Sequence, residues 1–326
     1  MSQGFGQEWQ SAPPTNQQWQ PPSDSETSDQ SGRLRPLDLG DILDGMFRLV
    51  VRHWRVLLLA LAPVLLPVNA IATFASQRAA GTRGLIEIFQ NPALAQAETV
   101  RVADFAPVIA VSLLSSLFLS PFLYGVCVAV AARGARDEPV ETRKVVRAAL
   151  RRYPVMVVVY AGIFLAPAVV FLPGIGLVAA GTLTPSPPLV IAGSLALLAA
   201  LPIALAVVVF LVLALPAAVE EPVGPLRALR RSIQLVRGRF WRTLGIVLVA
   251  YLITGIVSGL VSLPFGVPGT LFGGAIGATF TGLGGALSGL LSTPLLAAAL
   301  TLLYLDARVR REGADLEGMM DGLSTT

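Results

Sequence analysis

Apolar and polar positions along this chain follow two patterns. Six stretches, near residues 56–76, 106–132, 155–181, 189–218, 244–265 and 278–305, are apolar almost without a break. About 20 apolar residues in a helix span the roughly 30 Å of hydrocarbon in a bilayer. Each stretch therefore predicts a transmembrane helix. The fourth is long enough to tilt or to kink at Pro202. Between the fifth and sixth, residues 264–285 hold Pro264, Pro268 and eight glycines, which leaves a loop, a re-entrant stretch and a broken helix all open.

The second pattern is amphipathic, and it precedes the first, third and fifth spans. From Pro36 to Arg55, Leu39, Ile42, Leu43, Met46, Phe47, Val50 and Trp54 mark one face of a helix. Asp38, Asp41, Asp44, Arg48 and Arg52 occupy the other, acids early and bases late, as the helix dipole favours. From Pro139 to Tyr153, the stripe is Val145, Val146, Ala149, Leu150 and Tyr153, flanked by Arg143, Lys144, Arg147 and Arg151. From Pro225, Leu226, Leu229, Ile233, Val236 and Phe240 recur at helical spacing among Arg227, Arg230 and Arg231. Each stretch opens at a proline, a residue that suits a helix start. The expected fold is an all-α membrane bundle of about six transmembrane helices, arranged as three hairpins. Each hairpin follows a basic amphipathic helix, a degenerate threefold repeat. Those helices either lie flat on the inner leaflet or extend the spans and pack together.

Charge then sets orientation. On one side of the six spans fall 21 of the 24 Lys and Arg residues, and 3 on the other. Basic segments stay in the cytoplasm, so both termini are expected there, in the plasma membrane. Composition agrees: 54% of residues are hydrophobic and 13% charged, where soluble domains are about a quarter charged. The net charge of +4 then points to anionic inner-leaflet lipid as partner rather than to nucleic acid. Residues 1–32 are rich in Gln, Pro and Ser and read as a disordered cytoplasmic tail. Residues 33–311 read as the membrane domain and 312–326 as a short cytoplasmic tail.

Little in the sequence carries chemistry. One cysteine (Cys127) and one histidine (His53) exclude a disulfide within the chain and any site needing two histidines. Walker, zinc-protease and nucleophile-elbow motifs are absent, and no cofactor or metal is expected. Asp38, Asp41 and Asp44 share a face, where salt bridges to Arg48 and Arg52 are the simpler reading than a cation site. The spans hold no ionisable acid or base. Asn69 is the most polar side chain of the first, a candidate intramembrane polar site or an interhelical hydrogen bond. Gly273-x-x-x-Gly277 and Gly285-x-x-x-Gly289 suit close helix contact. An intramembrane enzyme would require Asn69, Tyr124, Tyr160 or Tyr251 to converge on Asp or Arg around one polar cavity.

Three segments carry a family resemblance. They are Arg35-Pro-Leu-Asp-Leu-Gly-Asp-Ile-Leu-Asp-Gly-Met-Phe-Arg-Leu, Ala228-Leu-Arg-Arg-Ser-Ile-Gln-Leu-Val-Arg-Gly-Arg-Phe-Trp-Arg, and Leu303-Tyr-Leu-Asp-Ala-Arg-Val-Arg-Arg-Glu-Gly-Ala-Asp-Leu-Glu. Together they resemble a group of actinobacterial membrane proteins related to the membrane domain of glycerophosphodiester phosphodiesterase. The resemblance implies a six-span module that anchors or assists an enzyme. It implies no phosphodiesterase activity, because that chemistry resides in a separate soluble barrel with paired histidines.

Two functions compete. One is a non-enzymatic scaffold or accessory subunit, binding lipid headgroups or a protein partner through Arg48, Arg52, Arg143, Lys144, Arg147, Arg227, Arg230 and Arg231. The other is a transporter or lipid-handling protein, with a cavity framed by proline-kinked helices and residues 264–285.

Overall fold

The structure, a computed structural model, describes residues 38–80, 110, 112–184, 186–221 and 223–324, all within the unit Leu37–Thr326. The expected disordered tail, and most of the loop between the first two spans, lie outside the described residues. Every regular element described is helical, and six helical segments are long and apolar enough to cross a membrane. The protein is a multi-pass membrane protein.

Local chemistry sets the helix ends. The backbone N–H of Asp38 donates to Asp41 Oδ2 at 3.0 Å and closes the start of α1 (Leu39–Arg52). A single residue, His53, separates α1 from α2 (Trp54–Ala80). A π-helical turn at Ser115–Leu119 leads into α3 (Ser120–Ala135). It lies just before Pro121, whose missing N–H disturbs the regular ladder there. The second basic stretch is no separate helix: it forms the opening turns of α4 (Thr142–Leu183), which continues through Pro154, Pro167 and Pro173.

The fourth span breaks, but not at Pro202. α5 (Pro187–Leu211) runs through Pro202 without interruption, and α6 (Ala214–Glu220) follows after two residues. The break includes Val212, whose carbonyl would accept from residue 216. Residue 216 is proline and has no N–H to give. α7 (Pro225–Val236) is a separate helix, divided from α8 (Phe240–Phe272) by Gly238 at φ 91°. The Gly-rich segment is neither a loop nor re-entrant. α8 reaches Phe272, α9 (Gly274–Ser324) starts two residues later, and Gly273 and Gly274 make the turn at φ 60° and 52°. Positive φ at two successive residues is a geometry that glycine adopts without a Cβ clash.

α9 is the central post. In its most apolar window 67% of residues are buried, against 11% for α4 and 22% for α8. α4–α5 and α8–α9 pack as intimate antiparallel pairs, whereas α2 packs chiefly on α9 and more lightly on α3. Glycines permit these approaches. A Cβ on Gly193 would lie 2.7 Å from the Val178 backbone nitrogen across α4–α5. On α9, Gly285 faces Asn69 and Gly289 faces Leu65 of α2, so this glycine pair serves as the expected contact ridge. Gly273-x-x-x-Gly277 does not, because Gly273 lies in the turn.

Candidate functional site: a tyrosine-lined cavity above a basic end

Three spans each bring one tyrosine to a common point. Tyr124 comes from α3, Tyr160 from α4 and Tyr251 from α8, and all three line a cavity of about 360 Å³. Val208 and Val212 close it from the end of α5, Leu215 and Pro216 from α6, and Ala297 and Leu300 from α9. The α5–α6 break therefore belongs to the cavity wall. Ring centroids of Tyr124 and Tyr160 lie 6.2 Å apart, and those of Tyr160 and Phe164 4.8 Å. Neither Tyr124 nor Tyr251 has a hydrogen-bond partner for its hydroxyl among the described residues, and neither hydroxyl is fully buried. α4 and α8 make no substantial contact with each other. Phe164 on one and Tyr251 on the other line the cavity and are half exposed, so its wall reaches the bundle surface on both helices.

The convergence that an intramembrane enzyme would require is half met. The tyrosines meet, but neither Asp nor Arg lines the cavity, and Asn69 is elsewhere. Asn69 Nδ2 donates to Leu65 O of its own helix at 2.9 Å, so the expected interhelical hydrogen bond is replaced by an intrahelical one. The Gly-rich 264–285 segment does not frame this cavity either. It lines a separate, shallower groove together with Ser262 and Leu263.

An ion-pair network seals the basic end of the bundle. Asp306 of α9 is buried, accepting from Arg242 Nη1 at 2.7 Å and from Arg310 Nε at 2.9 Å. Glu221, just after α6, accepts from Tyr304 Oη at 2.6 Å and from Arg231 Nε at 3.2 Å. Glu220 pairs with Arg136. These carboxylates lie outside the spans in the sequence pattern, which gave no reason to single out Glu220 or Glu221. Asp306 stands in the sequence only beside Arg308, Arg310 and Arg311, as part of a terminal charge cluster.

The eight basic residues expected to form a surface divide into two sets. Arg231 is engaged by Glu221, Arg52 by Asp137 at 2.7 Å, and Lys144 by Glu141 at 2.7 Å. Arg48, Arg143, Arg147, Arg227 and Arg230 are exposed and have no ion-pair partner among the described residues. The expected bridges from Asp44 and Asp38 to Arg48 and Arg52 do not form. Arg52 reaches instead to the α3–α4 turn, and Asp41 accepts from the Asp38 backbone. No group of acids, histidines or cysteines suited to a metal occurs among the described residues.

The amphipathic helices are apolar on two adjoining arcs, not one. In α7, Ala228, Ser232, Leu235 and Val236 are buried against the bundle, while Leu226 is 68% and Ile233 40% exposed. The expected stripe of Leu226, Leu229, Ile233, Val236 and Phe240 thus straddles both arcs. In α1, Ile42, Met46 and Leu49 are buried, and Leu39, Phe47 and Val51 are exposed. Arg55 lies over the Trp54 ring at 5.5 Å, and Trp241 is exposed at the start of α8. An arginine beside an aromatic suits a water–lipid boundary.

Comparison with protein-family models, with curated proteins and with solved structures gives no match for this chain.

Proposed function

We propose that this is a non-enzymatic, lipid-handling protein of the plasma membrane, with both termini in the cytoplasm. It holds a membrane amphiphile in the tyrosine cavity. The observation that carries this reading is that Phe164 of α4 and Tyr251 of α8, half exposed on two helices without substantial mutual contact, line the cavity, and we take the gap between them as its entrance. A ligand already dissolved in the bilayer enters that gap without crossing water. The walls are apolar with a few convergent hydroxyls, the composition of small-molecule sites. The unpaired arginines of α1, α4 and α7 hold the basic end against anionic headgroups, each contributing about 1 kcal/mol near such a surface. The exposed apolar arcs of α1 and α7 sit in the same interface.

The test compares wild type with Val208→Trp, which fills the cavity. Both are extracted in polymer discs that retain native lipid, and the bound lipids are identified by mass spectrometry. Loss of an enriched lipid in the variant is expected. An identical lipid profile in the two proteins overturns the reading.

A scaffold role is favoured by a separate observation, the five arginines that lack partners at one end of the bundle. It predicts a stoichiometric protein partner that is lost on Arg227→Gln and Arg230→Gln. It is overturned if no such partner co-purifies.

A further inference from the structure

We infer that the tyrosine cavity selects an uncharged amphiphile bearing carbonyl oxygens and excludes phosphate-headed lipids. The inference rests on the lipid-site reading and names the chemistry of the occupant. No charged side chain lines the cavity. A phosphate drawn into it would lose its hydration and meet no counter-ion, and burying an unpaired charge is strongly unfavourable. None of the cations at the basic end lines the cavity, the five unpaired arginines included. Arg242 and Arg310 hold Asp306, and Arg231 holds Glu221.

The cavity does offer O–H donors. No hydrogen bond among the described residues engages the Tyr124 or Tyr251 hydroxyl, and neither is a fully buried orphan, so both are open to an incoming acceptor. An ester or quinone carbonyl satisfies them without bringing charge. Tyr160 and Phe164, with centroids 4.8 Å apart, add an aromatic wall suited to a flat polar group. A volume of about 360 Å³ takes the polar end of such a molecule, and its chains leave through the gap beside Phe164. Diacylglycerols and prenylated quinones share this chemistry.

The test uses the purified full chain and three probes at equal mole fraction. These are dioleoylglycerol, a prenylated benzoquinone and dioleoylphosphatidylglycerol. Retention of each is read by native mass spectrometry. At least one uncharged probe is retained one to one, and which one distinguishes the two sources. Tyr124→Phe and Tyr251→Phe each weaken it about fivefold, the worth of one net hydrogen bond. Val208→Trp abolishes it; Ile163→Phe is the second filling variant, and thermal unfolding in detergent shows that each variant is folded. Phosphatidylglycerol retained by wild type and lost in the filled variants keeps the lipid site but overturns its selectivity. Uncharged probe binding unchanged by both tyrosine substitutions overturns recognition of the carbonyl. Equal retention of every probe by wild-type and filled proteins overturns the lipid site itself.

Discussion

At the scale of single residues, the bundle depends on where a Cβ or a charge is absent. Gly193 meets backbone atoms, the Val178 nitrogen at 2.7 Å and the Gly174 oxygen at 3.0 Å, which cannot rotate away. Gly193→Ala is therefore expected to destabilise the α4–α5 pair by about 2 kcal/mol. Gly245, mid-helix in α8, has nothing within 4 Å of an added Cβ. Gly245→Ala is expected to stabilise by about 0.8 kcal/mol through backbone entropy alone. Thermal unfolding in one detergent separates them by opposite shifts, and two shifts of the same sign would refute the packing argument. Asp306 gives the corresponding case for charge. Asp306→Asn leaves Arg242 and Arg310 without their shared carboxylate, with an expected cost of about 3 kcal/mol. A melting temperature within error of wild type would show that the network is solvated. Sequence pattern exposed Asn69, which turned out to be satisfied within its own helix. It did not expose Glu220 or Glu221, because a carboxylate beside a span looks the same whether solvated or sealed.

At the scale of elements, periodicity located the amphipathic helices and the six spans because burial of any kind selects apolar residues every three to four positions. It could not divide an apolar face into an arc packed on protein and an arc left exposed, since both demand the same side chains. Proline content alone did not mark the fourth-span break, for a related reason. Every proline removes a donor, but the helix parts only where the surrounding packing favours the bend, at Pro216 rather than Pro202. The two-arc arrangement of α7 makes a direct prediction. Cys127 is buried, so single cysteines introduced elsewhere can be labelled against it. With nitroxides at Ile233 and Gln234, the Ile233 label is expected to be relaxed more by oxygen, and the Gln234 label more by a water-soluble nickel chelate. Equal aqueous access at both positions would place α7 clear of the interface.

At the scale of the whole molecule, the cavity was the least legible feature. Its wall comes from α3, α4, α5, α6, α8 and α9, and no local pattern records that three tyrosines separated by 36 and 91 positions meet. The available signal was weaker: a phenol inside an apolar span needs somewhere to direct its hydroxyl. The expected orientation follows from a count along the chain and not from packing. The structure adds that the basic segments gather at one end, where Arg52 meets Asp137, Arg136 meets Glu220 and Arg242 meets Asp306. Translocating that end would carry most of the chain's positive charge across the membrane together with three ion-paired elements. An imbalance of 21 to 3 leaves a wide margin, so Arg227→Gln with Arg230→Gln is expected to preserve topology while weakening headgroup contact. Fusion reporters read this directly. A fluorescent protein at the carboxyl terminus folds and emits, and alkaline phosphatase at the same place is inactive in both the wild type and the double variant. Phosphatase inserted near residue 90 is active. Active phosphatase at the carboxyl terminus would mean that one of the six helices does not cross, and Phe240–Phe272 or Gly274–Arg311 would be the first to question, because only a two-glycine turn separates them.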